Sequence, residues 1–402
     1  MLQVDTREKE VQKDQILKME DFGSKLMWVT QNQNVFEVEE ILANILSRLP
    51  VKSLLVCKSV CKYWQGLICS PSFMHLHLIQ SQENPSYVFY PSYVFWDNNI
   101  HWVIKTDGET TQSFPSYDGF YFRDMICSFN GLICCTTPRK SRSCVIRRSP
   151  RRHMDIIIYN PATREVLLLP PTPKSKCALK LGVSFGPTIN GYEIFQFFYI
   201  EEQLYECMVY SSITGSWKFV GTVAHAPSTS FNHVCINGTV YWFSRSSIDG
   251  RLVGHILAVD REEKFSIIRI PVEETLYPLL VNLEGCLCLV AANGVVENRF
   301  DIWALQNSKE SVWVKRWSDY MPIFKIEQFQ YIVVRKNEIL FGSWKQYLFY
   351  NMGTRTWREF NWEYGRVNGF SPPLAYTESL LPCKYWNVNY VVLPLQVWRD
   401  FS

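Results

Sequence analysis

The chain has 402 residues, of which 20% are charged and 15% aromatic, with a formal net charge of +3. That length accommodates two or three domains with a sizeable core, and the aromatic share favours a strand-rich body over a helical one. Near-neutrality argues against a surface that tracks nucleic acid throughout. The longest apolar candidate, Leu276 to Val296, is broken by Asn282, Glu284 and Asn293, short of the roughly 18 residues of a membrane span, so a soluble chain is expected.

Residues 1–35 are polar and mixed in charge, as in Asp5-Thr6-Arg7-Glu8-Lys9-Glu10, and read as a mostly disordered tail with some helix around Val11 to Met19. The pattern changes at Ile41. Ile41, Leu42, Ile45, Leu46 and Leu49 recur at three and four residues and fall on one stripe of a helix, which Pro50 ends. A second periodic segment follows at once, with Leu54, Val56, Cys57, Val60, Cys61, Trp64, Leu67 and Ile68, and Pro50 suits its N-terminal end because no N–H is needed there. Below roughly 40 residues a lone core rarely suffices. Some of this apolar surface therefore belongs against another polypeptide or the rest of the chain.

From Tyr87 onward, short runs rich in aromatic and β-branched residues are punctuated by Gly, Asn, Asp and Pro, as expected of many strands. Turn pairs lead into strands at Asn130-Gly131, Asn190-Gly191, Asn237-Gly238, Glu284-Gly285 and Lys336-Asn337, at spacings of 60, 47, 47 and 52 residues. A second phrase keeps step: Tyr159, Tyr210 and Tyr350 each precede a turn, and Val166, Trp217 and Trp357 follow seven residues later. Val259-Asp260 to Phe265 is a version one residue shorter, and Trp303 to Trp313 a longer one. The Trp or Phe supplies a large apolar body to wedge between neighbouring sheets. A period near 50 with about four strands per repeat is what a β-propeller requires. Five repeats are readable, and strand-like remnants at 87–125 and 385–398, pairing across the chain, would complete a sixth blade. Seven or eight blades are also compatible.

Thirteen cysteines show no paired-knuckle spacing and no Met-basic-apolar leader opens the chain, so an intracellular, reducing compartment is expected, nucleus or cytoplasm. Cys57, Cys61, Cys69, His75 and His77 match no standard zinc spacing; Cys57 and Cys61, four apart, read instead as small core residues. Cys286 and Cys288 share one strand face, most simply inward. Cys134 and Cys135 take opposite faces, so at most one is expected in the core. Seven basic residues without an acid, Arg139, Lys140, Arg142, Arg147, Arg148, Arg151 and Arg152, fall in a loop between strands. A solvated insertion explains them, and docking of an acidic partner or nuclear import is the functional alternative. No nucleophile elbow, phosphate-binding glycine loop, paired His or redox CxxC stands in a credible context, and His225 and His233 are the only histidines close together in the strand region. No catalytic residue, cofactor or metal is assigned.

The run Ile45-Leu46-Ser47-Arg48-Leu49-Pro50-Val51-Lys52-Ser53-Leu54-Leu55, with Val60-Cys61-Lys62-Tyr63-Trp64 and Ser70-Pro71-Ser72-Phe73, resembles the F-box of plant F-box proteins over residues 36–80. In that family the helices dock on the Skp-type adaptor of a cullin-RING ubiquitin ligase, which by resemblance implicates Leu42, Ile45, Leu46, Leu49, Pro50, Leu54 and Trp64 in adaptor binding, some of them, Trp64 especially, as core supports. The family's first helix usually opens with Leu-Pro; Glu37-Val38 stand there in this chain, a departure that bears on how tightly an adaptor is held. Asn130-Gly131-Leu132-Ile133-Cys134, Tyr159-Asn160-Pro161-Ala162-Thr163-Arg164, Asn237-Gly238-Thr239-Val240-Tyr241-Trp242 and Gly285-Cys286-Leu287-Cys288-Leu289 are similar to the F-box-associated domain, related in architecture to kelch propellers although the double-glycine kelch pattern is missing.

The resemblance implies a mainly β protein: tail 1–35, F-box 36–80 and a kelch-like β-propeller at 85–398. Its implied role is the substrate-recognition subunit of an SCF-type ligase, not an enzyme, with an adaptor and cullin as partners and a protein target held by propeller loops, including 138–153. A ligase-independent propeller scaffold and a propeller enzyme are the alternatives.

Overall fold

The computed structural model describes residues 35–89, 100–104, 111–115, 124–138, 154–173, 180–186, 191–201, 204–224, 227, 233–248, 251–271, 278–292, 298–322, 331–342, 347–360 and 374–385. The expected tail at 1–34, the seven basic loop residues from Arg139 to Arg152, His225 and the remnant beyond Tyr385 all lie outside them. The chain divides into a helical unit, which ends its first segment at Glu83 and also takes in Glu378–Leu380, and a strand unit made of the remainder. Among the described residues no helix is long and apolar enough to cross a membrane.

Among the described residues the helical unit has four short helices: α1 (Val35–Leu46), α2 (Val51–Cys57), α3 (Lys62–Ile68) and α4 (Pro71–Gln82). Their boundaries follow local chemistry. Ser70 caps α4 by accepting from the Phe73 N–H at 3.2 Å, and Pro71 occupies the first turn, where no N–H is missed. Cys61 is not a core residue. The chain turns between α2 and α3, so Cys61 becomes the extended N-cap of α3, exposed, with its sulfur accepting from the Trp64 N–H at 3.4 Å.

The strand unit consists of six four-stranded antiparallel sheets. Five of them run in chain order. These are β4 (Asp124–Phe129) to β7 (Glu165–Leu168), β8 (Lys180–Phe185) to β11 (Ser216–Val223), β12 (His233–Ile236) to β15 (Phe265–Arg269), β16 (Leu279–Leu283) to β19 (Val312–Tyr320), and β20 (Tyr331–Arg335) to β23 (Thr356–Phe360). The sixth combines β1 (Ser86–Phe89), β2 (Ile100–Ile104) and β3 (Thr111–Pro115) with β24 (Leu374–Tyr376). Strands β24, β4, β8, β12, β16 and β20 neighbour one another in turn, and β20 neighbours β24, so they form the inner ring of a six-bladed propeller. The ring closes through Ser86↔Tyr376 and Val88↔Leu374, while the expected closing segment 385–398 lies, beyond Tyr385, outside the described residues. The closing strand is the short Leu374-Ala375-Tyr376, too brief to stand out as a period-2 run.

Three of the recurring turn pairs are tight hairpins of one kind, while Asn190 lies outside the described residues. Asn130 and Gly131 take φ 49° and 81°, Asn237 and Gly238 51° and 82°, Glu284 and Gly285 53° and 80°, the double positive φ that joins twisted strands. The second recurring phrase sets cross-strand pairs: Tyr159↔Val166, Tyr210↔Trp217, Val259↔Phe265, Leu305↔Trp313 and Tyr350↔Trp357. Four of its five turns share one device. Asn160, Asp260, Asn307 and Asn351 each use Oδ1 to accept two backbone N–H groups of the turn that follows.

The tryptophans do more than fill space. Trp217 donates from Nε1 to Pro170 O at 2.8 Å, Trp313 to Arg269 O at 2.8 Å, and Trp357 to Tyr320 O at 3.0 Å. In each case the indole on one blade's outer strand bonds the end of the preceding blade's outer strand. Blades are also packed on both faces, which explains why Cys134 and Cys135 are both buried, at 0% and 1%, in different apolar clusters. The expectation that only one would be inside assumed a single covered face.

The blades β8–β11 and β12–β15 meet at a hydrogen-bonded seam. Ser184 Oγ donates to Gly238 O at 2.7 Å and Trp242 Nε1 to Leu181 O at 3.2 Å, while the Val183 N–H donates to His233 Nε2 at 3.0 Å. Gly182 makes room for the indole, since a Cβ there would overlap the Trp242 ring. Because Nε2 accepts, His233 is neutral with its proton on Nδ1. Burial, aided by Lys180, pushes its pKa down to about 3.

Trp217→Phe, which keeps a ring and deletes the N–H, is expected to lower propeller stability by about 1 kcal/mol, read as a shifted denaturant midpoint; an unmoved midpoint contradicts the staple. The folded ring keeps His233 neutral, whereas the unfolded chain protonates it below about pH 6.5. Its contribution is therefore complete above that pH and is lost as pH falls toward 3. Between pH 7 and 4 the melting temperature is expected to drop more steeply in wild type than in His233→Gln; equal slopes contradict this.

Candidate docking surface

Residues 41–57 carry more apolar side chains than two short helices can turn inward. On α1, Leu42 and Leu46 are buried at 2% and 1%, while Ile41 and Ile45, each one position earlier, are 59% and 44% exposed. One residue is about 100° of helix, so the two pairs occupy adjacent stripes and only one is covered. On α2, Val51, Leu54 and Cys57 face inward at three-residue spacing, which turns Leu55 and Val56 outward, at 39% and 40% exposure. Tyr63 on α3 and Ile79 on α4 are also exposed. Apolar residues outnumbering a helix's inward positions are the signal that marks Ile41, Leu55 and Val56, which the motif match alone passes over.

The seven residues implicated by resemblance therefore separate. Ile45 and Pro50 are exposed and Leu49 is half-buried, whereas Leu42, Leu46, Leu54 and Trp64 are buried, so in this arrangement those four hold the helices in place and do not present themselves to a partner. The Leu49-Pro50 corner between α1 and α2 is held from α4: His77, itself buried, uses Nε2–H to bond Leu49 O at 3.0 Å. Burial holds His77 below the usual imidazole range, against the lesser raising effects of that bond and of Glu378. On the flank, the Tyr63 phenol is raised by partial burial and by the charge of Glu39, which sets α3's exposed ring near the acidic start of α1.

Cys57, Cys61, Cys69, His75 and His77, whose spacing matches no standard zinc set, are not grouped around one point. Cys57 is buried and its thiol pushed up by desolvation, Cys61 and Cys69 are exposed, and His77 is committed to Leu49. Among the described residues no three His, Cys, Asp or Glu side chains are grouped to hold a metal ion. Of the cysteines on strands, Cys288 is buried and Cys286 half-buried.

Comparison with known families agrees with both units. Residues 39–79 match the F-box-like family, and residues 98–370 match the family described as F-box associated beta propeller domain. Similar curated proteins of Arabidopsis thaliana include F-box/LRR-repeat protein At2g43260, 26% identical over 311 residues, covering 72% of this chain and 68% of that protein. F-box protein At2g21930 is 26% identical over 296 residues, covering 69% and 70% respectively, and F-box protein At5g07610 is 26% identical over 318 residues, covering 72% of each.

Leu54→Ala is expected to destabilise the helical unit by about 2–5 kcal/mol, while Leu55→Ala stays within roughly 0.5 kcal/mol of wild type, both read by denaturation. Equal costs at the two positions would overturn the division into inner and outer stripes. With its F-box-like helices and its matched six-bladed ring, the chain belongs to the plant F-box proteins that carry an F-box-associated β-propeller domain.

Proposed function

We propose that the protein is the substrate-recognition subunit of an SCF-type cullin-RING ubiquitin ligase. The helical unit docks on a Skp-type adaptor, and through it a cullin, and the propeller captures a protein target. The observation that carries this reading is the exposure of the large apolar side chains Ile41, Ile45, Leu55 and Val56 within the segment that matches the F-box-like family. Water-exposed apolar side chains of this size, clustered in so small a unit, favour a protein partner.

The contact residues in this proposal are Ile41, Ile45, Leu49, Pro50, Leu55, Val56 and Tyr63, with Leu42, Leu46, Leu54 and Trp64 as supports. The chain itself makes and breaks no covalent bond. It raises the effective concentration of a target lysine near the charged conjugating enzyme, which turns an encounter in solution into one within a complex. An intracellular setting, nucleus or cytoplasm, belongs to the same proposal and agrees with the free thiols at all described cysteines.

The test uses the full chain and purified adaptor. A double substitution Ile45→Asp, Leu55→Asp places charge on the outer stripe without touching the buried one, and is expected to weaken adaptor binding by roughly thirtyfold or more with the propeller's melting temperature unchanged. Retained adaptor affinity in that variant contradicts the assignment. Absent adaptor binding in wild type, with a target still captured by the ring, turns the reading toward a ligase-independent scaffold, to which the Glu37-Val38 departure also points.

A further inference from the structure

Helix α2 begins at a corner that cannot cap itself. Pro50 precedes it and offers no capping oxygen, and the first turn of α2 contains no acidic residue. The first N–H groups of a helix lack partners within it, and a buried one without a partner is costly. The Val51 N–H is satisfied from the other end of the sequence. Glu378 Oε2 accepts it at 3.2 Å, across 327 residues of chain.

Glu378 does not act alone. Glu378–Leu380 belongs to the helical unit, and Ser379 and Leu380 are buried at 0% and 4%. These three residues lie on a strap anchored in the propeller at both ends. Strand β24, which closes the ring, stops at Tyr376. After Leu380 the chain is fixed again: Asn160 Nδ2 donates to Leu381 O at 2.8 Å, Tyr192 OH donates to Cys383 O at 3.0 Å, and the Cys383 thiol donates to Glu165 O at 3.3 Å. The corner Leu49-Pro50-Val51 thus has two supports, His77 on the Leu49 carbonyl and Glu378 on the Val51 N–H.

We propose that Glu378–Leu380 is a working part of the docking module, and that Glu378 is a positioning residue which holds α2, and with it Leu55 and Val56, in the arrangement an adaptor meets. The F-box-like segment is then incomplete as a contiguous stretch. Its outer face is set only after all six blades have been made and β24 has closed the ring, which ties docking to a finished propeller. This inference rests on the adaptor-docking reading above.

The experiment compares wild type, Glu378→Ala and Glu378→Gln in the full chain, by amide hydrogen exchange over Val51–Cys57 and by affinity for purified Skp-type adaptor, with exchange in β5 (Leu132–Pro138) as the internal reference for an intact ring. Loss of a cap typically corresponds to about two- to thirtyfold in a local equilibrium. Glu378→Ala is expected to speed exchange in α2 by about that factor and to weaken adaptor binding, β5 staying unchanged. Glu378→Gln keeps an acceptor oxygen and is expected to stay near wild type in both. Identical α2 exchange in wild type and Glu378→Ala overturns the inference. Faster α2 exchange in Glu378→Ala, in a protein whose wild type captures no adaptor, removes the docking reading and leaves the strap's hold on α2 standing.

Discussion

A four-stranded blade that is apolar on both faces has no stable existence alone, and this constraint governs the strand unit. Cys134 faces one cluster and Cys135 another, and both are dry. Such a sheet needs a neighbour on each side, so a row of blades has two intolerable ends until it closes into a ring. Closure falls to one short antiparallel pairing between strands distant in sequence, Ser86–Phe89 with Leu374–Tyr376. The other seams are strengthened by side chains: the tryptophan N–H groups that reach back one blade, the His233 and Ser184 bonds between the blades β8–β11 and β12–β15, and the packing of Phe300 against Phe341, Tyr350 and Trp357 between the blades β16–β19 and β20–β23.

The helical unit obeys the opposite logic. Its four described helices are short and do not cover all of their own apolar residues. Leu42, Leu46, Val51, Leu54, Trp64 and Ile68 make the inside, and Ile41, Ile45, Leu55 and Val56 remain against water. The strand unit covers both faces of its blades, and the helical unit leaves several large apolar side chains bare.

Much of this was legible in the sequence because the repeating parts are local. Asn-Gly at a hairpin and a Trp seven residues beyond a Tyr each depend on a handful of neighbouring residues, so the period and the propeller architecture could be read, with the blade count left open between six and eight. What escaped was non-local. The closing strand is three residues long and gains its identity only from β1, far away in the chain; Cys135 is buried by a neighbouring blade; Glu378 caps a helix it follows by hundreds of residues. Within the F-box-like segment a motif ranks residues by type and spacing and does not separate Leu54, which is buried, from Leu55, which is exposed.

The most direct measurement is hydrogen exchange on the full chain with and without saturating Skp-type adaptor. Exposed apolar side chains that serve as the docking face predict new protection confined to α1 and the corner leading into α2, with the blades unaltered. Protection that appears on the blades while α1 and α2 exchange as before would contradict it.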